Sequence, residues 1–83
     1  MITQMILYKG NTCIDIYKTH ITPAQFEKLK PGDHLWKYVF NTQVHFSTKP
    51  APEHDTVKAM IVRKNPDYSI VLRFDRVEFA RRG

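Results

Sequence analysis

The chain has 83 residues, 42% hydrophobic and 12% aromatic, with thirteen Lys and Arg against eight Asp and Glu for a net charge of +5. That apolar content excludes disorder as the ground state, a lone Cys13 excludes an internal disulfide framework, and no apolar run approaches the roughly 18 residues of a membrane helix. The expectation is one globular domain over residues 1–83 in a reducing, cytoplasmic setting, with no signal peptide, because residues 1–5 place no basic segment ahead of an apolar stretch.

Residues 2–8 and 12–19 read as two strands joined by a tight turn at Lys9, Gly10 and Asn11. Thr22-Pro23-Ala24-Gln25 then predicts a helix start: a capping hydroxyl, a proline at the first helical position and a glutamine three residues after the cap. Phe26 and Leu29 supply its apolar stripe, and Lys30-Pro31-Gly32 ends it after about two turns. Residues 35–47 predict one long strand, because Trp36, Tyr38, Phe40, Val44 and Phe46 share one parity and Lys37, Asn41, Gln43 and His45 the other. A domain this short of core is expected to bury that aromatic parity.

Residues 48–55 hold two prolines and read as a loop. Residues 57–64 and 68–79 predict a second hairpin around Asn65-Pro66-Asp67. Opposing Lys64 to Ser69 sets Ile61 against Leu72 and Ala59 against Phe74 on the inner face, with Lys58 against Asp75 and Met60 beside Arg73 outside. Apolar parity changes between Phe74 and Val77, which predicts a bulge near Asp75-Arg76. The expected fold class is therefore α+β: a small antiparallel five-stranded curved sheet or half-barrel, β-β-α-β-β-β, with one short helix.

The sites of chemistry are few. The four histidines and Cys13 show no metal-ligand spacing, and Glu53-His54-Asp55 reads as a solvated loop tip, so no metal and no cofactor is expected. Cys13 lies in a strand pattern where a small buried hydrophobe is the usual role. No nucleophile elbow or phosphate-cradling glycine loop occurs, since Gly10, Gly32 and Gly83 stand alone. A ribonuclease-type centre needs His34, His45 and Arg73 to converge, which spacing alone cannot bring about. Val44-His45-Phe46 lacks the glycine-rich aromatic strand that accompanies it in cold-shock barrels, and the glycines of an RRM strand are missing too.

Charge is the remaining signal. Residues 58–83 carry Lys58, Arg63, Lys64, Arg73, Arg76, Arg81 and Arg82 against only Asp67, Asp75 and Glu78. These seven cations are the expected partner-binding residues, and a polyanionic partner is implied. The leading expectation is a non-enzymatic inhibitor or adaptor of the kind common among phages and mobile elements. It would dock this basic face on an acidic surface of a host or defence-system enzyme, a class-level association without a motif. The alternative is a module that binds the backbone of RNA or DNA; a small toxin-like ribonuclease ranks third.

Overall fold

A computed structural model describes residues 1–49 and 56–74 in full and the backbone of residues 79–80. Seven strands and one helix follow in the order β1 (Ile2–Lys9), β2 (Thr12–His20), α1 (Pro23–Lys28), β3 (His34–Phe40), β4 (Gln43–Ser47), β5 (Thr56–Lys64), β6 (Ile70–Phe74) and β7 (Phe79–Ala80). Six of them form one curled mixed sheet in the spatial order β2-β1-β6-β5-β3-β4, and β7 pairs with β5. The α+β class and the half-barrel hold; the five-stranded, wholly antiparallel sheet does not.

The difference has two causes. First, β6 lies between β1 and β5 and runs parallel to β1, with Met5 opposite Ile70 and Leu7 opposite Leu72. Ile70-Val71-Leu72 is a continuous apolar run, and all three residues are buried. Such a strand is stable only in the middle of a sheet, where side chains on both faces are covered. Second, residues 35–47 form a hairpin, not a single strand: Asn41 and Thr42 adopt φ values of 51° and 61°, and Phe40 turns back onto Gln43. Two consecutive left-handed residues are the tightest way to reverse a strand pair with the natural twist.

That turn reverses the expected parity. Across it Trp36 faces Ser47, Tyr38 faces His45 and Lys37 faces Phe46. Neighbours across a ladder share a face, so Trp36, Tyr38 and Phe40 lie on one side of the sheet and Val44 and Phe46 on the other. Phe46 packs against the core, but Trp36 and Tyr38 are only half-buried and Phe40 is 50% exposed. The aromatic stripe read as buried is thus divided between two faces. A β-branched residue is strained at positive φ, so Thr42→Gly is expected to raise stability by about 0.5–1 kcal/mol, measured by urea unfolding.

The core fills the concave side. Met5, Leu7, Leu35, Ala59, Ile61, Ile70 and Leu72 point inward from four central strands, and Phe26 and Leu29 of the helix close one end. The helix start is as expected: the Thr22 hydroxyl accepts from the Gln25 amide (3.1 Å) while the Gln25 side chain accepts from the Thr22 amide (2.8 Å). The β5–β6 hairpin keeps Ile61 opposite Leu72 and Met60 opposite Arg73, but Lys64 lies opposite Ile70 instead of Ser69. The slip comes from a bulge at Val62, between Ile61 and Arg63. Beyond it the turn closes through Asn65 N–H donating to the Ser69 carbonyl and Tyr68 N–H to the Asn65 carbonyl, with Tyr68 at φ 69°. The bulge expected at Asp75-Arg76 and the Lys58–Asp75 pair lie outside the described residues, as does the Glu53-His54-Asp55 tip.

Candidate interaction surface

The register assigns every strand residue to the concave or the convex face. Convex positions are Tyr8 on β1, Ile16, Lys18 and His20 on β2, and Val71 and Arg73 on β6. They continue through Lys58, Met60 and Arg63 on β5, His34, Trp36, Tyr38 and Phe40 on β3, and His45 on β4. Asp15 is the one carboxylate in any described strand, and it shares the concave face with Leu7. The convex face therefore presents Lys18, Lys58, Arg63 and Arg73 with no acidic side chain among its described strand residues. Arg63 and Lys58 each lie one strand over from Arg73 and offset along it, within a Debye length of about 8–10 Å, so the fields of these three add.

Two subsites stand out. Tyr8, Arg73, Met60 and His34 make one row across four strands, and Arg63 sits diagonally from Arg73 because it opposes Val71. Both guanidinium groups line a hollow of about 200 Å3 with Tyr8, Asn11, Val62 and Val71. The turn that forms its rim is held by Gly10, at φ 58°, whose N–H donates to the Phe74 carbonyl at 3.0 Å. The exposed Arg63, in a hollow it shares with Tyr8, suits a carboxylate or phosphate, to which a guanidinium gives paired hydrogen bonds. The second subsite is aromatic. The Lys58 ammonium lies 5.7 Å from the centre of the Trp36 ring, Tyr38 stacks on His45 with ring centres 5.3 Å apart and planes 19° apart, and Phe40 follows at 6.3 Å from His45.

Compared with known proteins, the chain matches no family model, no curated protein and no solved structure. The reading of this surface therefore stands on its residues.

Of the seven expected partner-binding cations, Lys58, Arg63 and Arg73 share the convex face. Lys64 does not. The bulge at Val62 turns it inward, where its ammonium donates to the Phe26 carbonyl at 2.9 Å and lies 4.5 Å from the centre of the Phe26 ring. It caps the last turn of α1, where carbonyls lack helical partners and the helix dipole favours a cation. Lys64→Met keeps the aliphatic stem and removes the charge-assisted bond, so it is expected to cost about 1–2 kcal/mol in thermal unfolding and to leave partner binding intact. Arg76, Arg81 and Arg82 lie outside the described residues.

One further sequence reading changes. Cys13 is exposed on the edge strand β2, not buried, because the pairing of Tyr8 with Cys13 sets it on the convex side. His34 and His45 do not converge: His34 begins β3, while His45 lies opposite Tyr38, four residues or about 13 Å further along. No group of three potential metal ligands occurs among the described residues.

Two described groups have shifted ionisation. Burial and the neighbouring Asp15 carboxylate, which accepts a hydrogen bond from the phenol and repels its anion, push Tyr17 up to about 12. Asp67 is held below the usual carboxylate range by hydrogen bonds from the Ser69 hydroxyl and amide, at 2.6 and 3.0 Å. For Tyr17 the raised value means that folding favours the neutral phenol. Its contribution is complete below the ordinary value near 10 and is lost as pH rises toward about 12. Alkaline absorbance titration should accordingly lose its latest tyrosinate step in Tyr17→Phe.

Proposed function

We propose that the chain is a non-enzymatic binding module that docks its convex face on an acidic protein surface, in the manner of a small inhibitor or adaptor. The observation that carries this reading is the segregation of charge: Lys18, Lys58, Arg63 and Arg73 on one face, with no carboxylate among that face's described strand residues. An acidic side chain of the partner would enter the hollow between Arg63 and Arg73. Trp36 and Tyr38, half-buried on this face, supply the kind of large anchors that dominate interface energies. Charge would speed encounter, and the rings would hold the complex.

The rings also support a second reading, because Trp36, Tyr38, Phe40 and His45 lie beside cations on an open sheet, the arrangement on which unpaired bases stack. The two readings separate in a pull-down from host lysate with and without nuclease. A protein partner that survives nuclease treatment and is lost with Arg63→Glu supports the first. A catch that disappears on nuclease treatment supports the second. Retention of the same partner by Arg63→Glu and Lys58→Glu alike would remove the convex face from consideration.

A further inference from the structure

The sheet is curled so far that its two edge strands face each other, and the opening between them is a second site, which meets the convex face at Lys18, His20 and His45. Among the described residues β2 pairs only with β1 and β4 only with β3. Following the pairings around the sheet, β2 and β4 run in the same direction. Side chains bridge the opening from inside: the Tyr17 and Phe46 rings lie 5.9 Å apart, with the Lys37 ammonium 5.4 Å from the Tyr17 ring centre. Above them runs a groove in two contiguous parts, of about 530 and 400 Å3. Both parts are bordered by Thr19 and His20, and they meet residues 43–45 of β4 and then 46–47 with Thr48 just beyond it, before ending at the helix.

We propose that this groove takes an extended peptide segment of a partner, acidic at alternate positions, as an added strand that completes the barrel. A strand entering antiparallel to both β2 and β4 pairs two edges at once, and edges are otherwise a standing invitation to aggregation. The alternation follows from parity. Inward side chains of the guest meet Met5, Leu35 and Phe46 on the groove floor and are apolar. Outward side chains meet Lys18, His20 and His45, and no carboxylate is among the described residues that line either part of the groove.

The test uses a fluorescent peptide of about ten residues alternating valine with glutamate, a lysine-for-glutamate version, and a short thymidine oligonucleotide, at about 0.15 M salt. The glutamate peptide should bind at least about tenfold more tightly than the lysine peptide. It should also protect backbone amides of residues 17–20 and 43–47 from hydrogen exchange. Lys18→Glu combined with His20→Glu changes only exposed side chains, and should reverse the preference, a readout that misfolding cannot imitate. Protection confined to β5 and β6, equal binding of both peptides, no binding of either, or oligonucleotide protection of the same amides would each overturn the proposal.

Discussion

Leu72→Ala is expected to lower stability by about 3–4 kcal/mol and the thermal midpoint by about 15–25 °C. Leu72 is wholly buried, paired with Leu7 on one side and Ile61 on the other. Its removal opens a cavity where two central strands cannot collapse, because both are clamped by further strands. For a small domain with about 5–10 kcal/mol in hand, that is a large fraction. Trp36→Ala should cost much less, about 1–2 kcal/mol, since the ring is only half-buried and lies beside the Lys58 ammonium outside the core cluster. The ordering is the informative quantity, read from denaturant midpoints of the two variants. If Trp36→Ala matched Leu72→Ala, the aromatic parity would be core and both functional readings of the convex face would fall.

How far the fold was legible depends on how local each determinant is. The Thr22–Gln25 capping box lies within four residues, and the Ile61–Leu72 pair follows from turn chemistry and parity, so each could be read directly. The parallel pairing of β1 with β6 joins segments more than sixty residues apart in the chain, and no local pattern encodes it. The one hint was the unbroken Ile70-Val71-Leu72 run, the mark of a strand buried on both faces. Asn41-Thr42 escaped notice for a different reason. Neither residue is glycine, and a threonine at positive φ runs against its own preference.

The candidate surface was legible in composition but not in geometry. Counting cations found Lys58, Arg63 and Arg73, and it also found Lys64, which a single bulged residue redirects onto the helix end. Tyr8 and Asn11, which line the hollow with the arginines, come from the first hairpin. They could be added only once β6 was known to lie beside β1. The turn at Asn41-Thr42 moves Trp36, Tyr38 and Phe40 from expected core to the surface, as neighbours of Lys58 and His45.

The double charge reversal Lys58→Glu with Arg63→Glu should weaken binding of an acidic partner by about a hundredfold at low salt, close to 3 kcal/mol. Arg63 is exposed and Lys58 half-buried, and neither belongs to the core cluster, so circular dichroism melting should change little. Salt then identifies the partner. Against a protein surface, added salt mainly slows association and leaves a salt-resistant remainder held by the aromatic anchors. Against single-stranded nucleic acid, the logarithm of the binding constant should fall linearly with the logarithm of salt, with a slope of about −0.7 per contacted phosphate, and the reversal should flatten it by roughly one contact per cation removed. The matching reversal Arg81→Glu with Arg82→Glu separates the face from the chain end, because those residues add charge without belonging to any described strand. If the end pair alone carried the effect and the Lys58–Arg63 pair had none, binding would depend on net charge in the last residues, and the hollow between Arg63 and Arg73 would have no role in it.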